Sequence, residues 1–118
     1  MIYSAVQKQR KEQHKGIIKI RWTDSEVDNY SGSIGTFNPG SVTDEEGNVN
    51  YAYREVLLGE KESRGEMIAK VIETRFSKDD QIAMLANQGD GVPEHEQEIQ
   101  NFQNFRTFAK ALIDEEVL

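Results

Sequence analysis

Apolar residues keep a sustained helical period in the last third of the chain. Over residues 66–76, Met67, Ile68, Val71, Ile72 and Phe76 fall at the i, i+1, i+4, i+5 spacing of a helix with one buried face. The pattern predicts three consecutive helices, over residues 64–75, 78–87 and 94–116. Ser77 followed three residues later by Asp80 predicts a capping box, the hydroxyl accepting from the backbone while the carboxylate reaches back. The second helix is expected to turn Ile82, Leu85 and Ala86 inward and to end at Gly89-Asp90-Gly91, since glycine takes the left-handed conformations of helix ends.

Pro93 suits the first turn of the third helix, and Glu94, Glu96 and Glu98 match the positive end of its dipole. The inner positions of that helix are Ile99, Phe102, Phe105, Arg106, Phe108, Ala109, Leu112, Ile113 and Val117. So wide a stripe is either core or a groove for a partner helix, with Phe102 and Phe105 the residues such a partner would touch. Asp114, Glu115 and Glu116 sit at the negative end of the dipole, where they are unfavourable. The last turn is expected to fray or to be held by a basic partner.

The first half alternates in the manner of strands. Gly16-Ile17-Ile18-Lys19-Ile20-Arg21-Trp22 is β-rich and bounded by glycine. Residues 49–58, with Tyr51, Tyr53 and Val56, have the same character, and residues 31–37 predict a weak strand permissive of a bulge. Residues 23–30 read as an acidic turn, Asn38-Pro39-Gly40 as a turn, and Asp44-Glu45-Glu46-Gly47-Asn48 as a loop tip. Residues 1–15 read as a basic arm or a short helix on a weak face of Ile2, Ala5, Val6 and Gln9, while Ile2-Tyr3 alone could be a strand. The expected layout is one α+β domain over residues 1–118: a small antiparallel β unit over 16–58, a joint at Lys61-Glu62-Ser63, and a three-helix part over 63–118.

Composition narrows this picture. With 36% hydrophobic and 30% charged residues and a mean hydropathy of −0.70, the chain is polar for a self-sufficient globule. A protein that finishes burying its surface in an assembly has this composition. It has no cysteine, which excludes disulfides and thiolate metal sites. Its apolar runs fall far short of the ~20 residues of a membrane span. Met1-Ile2-Tyr3 leads straight into polar sequence, so no secretory signal is expected, and the protein is expected to stay in the host cytoplasm unless packaged into something larger.

Charge is uneven. Residues 1–22 hold Lys8, Arg10, Lys11, Lys15, Lys19 and Arg21 against Glu12 alone, while the whole chain carries −7. These six cations are the candidate partner-binding residues on the polar side. They suit an acidic surface, of a second copy or of another protein, or nucleic acid, which needs a concentrated basic face.

No catalytic, cofactor or metal site emerges. His14 and His95 are far apart, and His95-Glu96-Gln97-Glu98 lacks the second histidine of a zinc-protease helix. The acidic glycine loops at 44–48 and 87–91 lack the alternating oxygen ligands and closing glutamate of a calcium loop. Gly32-Ser33-Ile34-Gly35 has not the spacing of a nucleophile elbow, and Gly35-Thr36-Phe37-Asn38-Pro39-Gly40 lacks the lysine of a phosphate loop. The expectation is a non-enzymatic protein with no cofactor.

Glu66-Met67-Ile68-Ala69, then Arg75-Phe76-Ser77-Lys78-Asp79-Asp80-Gln81-Ile82-Ala83-Met84-Leu85, with Phe102, Phe105 and Ala109-Lys110, carry a resemblance. This stretch resembles the helical tail of small proteins encoded beside tail-fibre genes in bacteriophages and prophages. It covers about the last 50 residues. The resemblance implies a virion or tail-assembly role, with no catalytic residue to carry over. Two functions therefore stand as expectations: a structural or adaptor protein acting by self-association or protein contact, and a small regulatory module binding nucleic acid through the basic segment.

Overall fold

A computed structural model describes residues 1–118. Its order is β1 (Ile2–Ser4), β2 (Lys11–His14), β3 (Ile17–Trp22), α1 (Asp24–Asp28), β4 (Ser41–Thr43), β5 (Val49–Gly59), α2 (Arg64–Glu73), α3 (Lys78–Asn87) and α4 (Pro93–Glu116). The class is α+β: a five-stranded antiparallel sheet followed by helices. β5 organises the sheet. Its second half pairs with β3, from Trp22 opposite Arg54 to Ile17 opposite Gly59, and its first half takes β1 and β4, which both pair at Tyr51.

The sheet begins earlier than the sequence pattern predicts. Residues 1–15 are neither an arm nor a helix but supply β1 and β2, the latter paired with β3 from Lys11 opposite Ile20 to His14 opposite Ile17. β2 is entirely exposed, so it has no buried face to print a period on the sequence. What makes it a strand is the two-residue turn Lys15-Gly16, both at positive φ (50° and 80°), the backbone twist a tight hairpin needs. Its Lys-Glu-Gln-His composition also makes it a poor template for further pairing.

Three more expectations change. Residues 23–30 contain a short helix, α1, closed by a capping box in which Thr23 accepts from the Glu26 amide. Residues 31–37 form no strand; the strand lies just after, at β4, beyond Asn38-Pro39-Gly40. α2 stops at Glu73, two residues earlier than predicted, with the Arg75 and Phe76 amides still bonding back to the Ile72 carbonyl. The Ser77–Asp80 capping box is present as expected.

The core is one cluster of 13 buried residues. Ile18, Ile20, Trp22 and Leu58 from the sheet meet Met67, Ile68, Val71 and Ile72 from α2, and Phe105, Phe108, Ala109, Leu112 and Ile113 from α4. Strand alternation supplies the first set and helical spacing the other two. Each fully buried large side chain contributes about 1.5–3 kcal/mol. The α4 stripe is therefore core, and Arg106 alone among its predicted inner positions is turned to solvent. The acidic end of α4 is held from within: Arg64 donates to both Asp114 oxygens at 2.6 and 2.7 Å, and the Ile34 amide reaches Glu115.

α3 is rotated from its predicted setting. Its inner positions are Gln81, Met84 and Asn87, whereas Ile82 and Leu85 are 64% and 72% exposed. The shift is one residue, or about 100° around the axis. The Gln81 side chain fixes it by donating to the Phe76 carbonyl at 3.1 Å.

The α3–α4 link turns on Gly89 and Gly91, both at positive φ. Between them Asp90 accepts from the Val92 amide at 2.9 Å and meets the His95 ring at 2.6 Å. The hydrogen bond to Asp90, with its negative charge, raises the His95 pKa above the ordinary 6.5. Because the folded value is raised, the contact helps in full below the unfolded pKa and is lost as pH rises through the folded one. Asp90 itself is lowered, by the Val92 amide first and then by His95, so its share fades only in acid. A titration followed by NMR is expected to place the His95 ring above 6.5, and Asp90→Asn to return it to the ordinary value. A wild-type value at or below 6.5 would refute the link.

Candidate docking surface

The six cations named from sequence do not form one face. Arg21 is 2% exposed. Its guanidinium donates to Glu12 at 2.8 Å, Glu55 at 2.6 Å and the Gln9 carbonyl at 3.0 Å. Arg10 pairs with Glu26 and donates to the backbone carbonyls of Arg21 and Gly35. The two arginines also sandwich an aromatic pair. Arg10 lies 5.0 Å over the Phe37 ring, Phe37 meets Tyr53 edge-on, and Arg21 lies 5.5 Å over Tyr53.

Both arginines are thus internal braces, unavailable to a partner. Lys11, Lys15 and Lys19 remain exposed on the β2–β3 hairpin and Lys8 is half-buried, a thin and interrupted basic surface. Phe105 is buried and Phe102 packs edge-on to Phe76 at 5.4 Å, so neither offers itself for docking. No group of three or more His, Cys, Asp or Glu stands close enough to hold a metal ion, and no helix is long and apolar enough to cross a membrane.

A different surface stands out, made where β1, β4 and the first half of β5 meet. Extended contacts of β1 and β4 are with β5, not with a helix. Yet this end of the sheet is apolar. Tyr3 is 61%, Val42 46% and Val49 50% exposed, with Met1, Ile2 and Val6 also open. The register puts Tyr3, opposite Ala52, and Val42, opposite Asn50, on one face, continuous with the face that packs on the helices further along β5.

Charge sets this surface apart. The segments that build it, residues 1–7, 40–43 and 49–53, contain no charged side chain, in a chain that is 30% charged. Depletion of charge with tyrosine enrichment is the mark of interface cores, where an unpaired charge would be costly to desolvate. The sequence reading passed over it because each strand is short. The signal was legible as three charge-free stretches, but not that they adjoin. Compared with known proteins, the chain matches no family model, no curated protein and no solved structure.

Proposed function

We propose that this protein is a non-enzymatic structural or adaptor protein that works by protein–protein contact through the uncharged end of its sheet. The observation that carries the reading is the set of charge-free segments joined at β1, β4 and β5, with Tyr3 and Val42 uncovered on one face of the sheet. Such a surface offers nothing to a charged partner. It fits another uncharged face, and the same face on a second copy is the first one available, so the chain is read as a homo-oligomer. Assignment to a phage or prophage virion or tail assembly, made in the host cytoplasm, rests on the resemblance of the helical half alone.

Contact through this face changes the expected salt dependence. An arm-to-body ionic contact weakens as salt screens it, whereas an apolar contact holds or tightens. Light scattering at low and high salt is expected to give a mass above the monomer that survives salt. Val42→Lys combined with Tyr3→Asp should return a folded monomer, because both substitutions place charge on a surface that must be desolvated. A wild-type monomer at every salt, or a double variant of unchanged mass, would overturn self-association through this face.

A further inference from the structure

Between α1, the middle of β5 and the end of α2 lies a cleft of about 370 Å³, next to the docking surface but lined by none of its residues. Trp22 and Phe105 form its floor, and Asp24, Asp28, Arg54 and Arg75 its rim. Volumes of this size are at the small end of ligand sites. Two of the four rim charges satisfy each other: Arg54 donates through Nε and Nη2 to the two Asp24 oxygens, each at 3.1 Å.

The other two have no ionic partner within the chain. Arg75 lies 5.5 Å over the ring of Phe105 and 5.7 Å over that of Phe76, making no salt bridge. Arg75 is exposed, and its charge acts on Asp24 without a direct contact. Asp28, which also lines the cleft, likewise makes no ion pair and accepts no side-chain hydrogen bond. The cleft thus presents one positive and one negative group that make no direct ion pair.

Trp22 supplies an independent sign. It is 1% exposed, and its indole N–H donates to no group of the protein. No buried polar side-chain atom is left without a partner. The N–H is therefore the part of this buried ring that solvent still reaches, and the cleft is the cavity Trp22 lines. A nearly buried donor without an acceptor is a place where a ligand oxygen gains more than it would in water.

We propose that the cleft binds a small zwitterion of the α-amino-acid class, its carboxylate on the Arg75 guanidinium and the Trp22 N–H, its ammonium on Asp28. The guanidinium offers paired N–H donors of the spacing a carboxylate accepts. Asp28 supplies the counter-charge for the amine, and the neutral balance of the rim disfavours a ligand of one sign. Apart from Trp22 and Phe105 the lining is polar or charged, so small and polar amino acids fit best.

Trp22 is the single tryptophan, which makes it a built-in reporter. The full-length protein would be titrated with glycine, serine and glutamine, and separately with sodium acetate, ethylamine and inorganic phosphate. The indole N–H cross-peak and the intrinsic fluorescence would be followed up to about 10 mM, where even a millimolar site fills. A saturable shift with amino acids, absent with the single-charge probes, is expected. Asp28→Asn and Arg75→Gln, with unchanged circular dichroism, should each weaken it by about tenfold or more. No saturable shift with any amino acid would overturn the site. Equal response to acetate or phosphate, indifferent to Asp28→Asn, would overturn its zwitterion selectivity.

Discussion

Phe105→Ala is expected to cost about 3–5 kcal/mol of stability, the usual loss for emptying a phenylalanine site in a core. Against the ~5–15 kcal/mol that holds a domain together, this is a large share, and it lowers the melting temperature by roughly 10–20 °C. The reason is position. Phe105 is 2% exposed, stacks beside Phe108 at 6.4 Å, touches Phe76 at 6.0 Å and carries the Arg75 guanidinium on its other side. Its removal opens the junction of sheet, α2 and α4 at once. Leu85→Ala on the exposed side of α3 is the control, and should stay within about 0.5 kcal/mol. Urea unfolding of both variants checks this. Equal stability of the two would mean that the stripe on α4 is not core.

Arg21→Met is expected to be the most damaging polar substitution, on the order of 2–4 kcal/mol by the same measurement. Removing the guanidinium strands the Gln9 carbonyl and Glu55, whose side chain is 18% exposed, while Glu12, at 44%, can rehydrate. That asymmetry puts the loss below the full value for a buried ion pair. Adding Glu55→Gln to Arg21→Met should recover part of it, because the unpaired charge is then gone. A double variant no more stable than Arg21→Met would show that lost packing on Tyr53, not the stranded carboxylate, is the cause.

The same pair sets an acid response. The Arg21 hydrogen bond first, and its charge second, hold the Glu12 carboxyl below its ordinary 4.5. A lowered folded pKa contributes stability that is present above 4.5 and lost as pH falls through the folded value. The wild type should therefore lose stability below about pH 4.5 more steeply than Arg21→Met.

Had the basic segment been a free arm, Arg21→Met would have weakened a partner and left the fold alone. The structure reverses that assignment. Arg10 and Arg21 each brace the outer side of the sheet, across Glu26 and across Glu12 and Glu55. The surface proposed for recognition is the one whose segments carry no charged side chain.

From residue order alone, the strands at 16–22 and 49–58 and the three C-terminal helices were determined, with the capping box at Ser77 and the turn at Gly89-Asp90-Gly91. Each of these buries one face or fixes one local hydrogen bond, and both leave a period or a spacing in the sequence. Only the tertiary structure decided the rest. β2 has no buried face, so its strand exists through the backbone of β3 and a turn with two positive φ values. β1 and β4 are too short to show alternation and gain their place from β5. α3 carries apolar residues on two sides, and the Gln81–Phe76 bond chose which one faces in. A charge in a sequence does not tell whether it is solvated or paired. Distant residues settled that for Arg21, whose partners lie 9 and 34 positions away, and for Arg75 and Asp28, which the fold leaves facing an open cleft over Trp22.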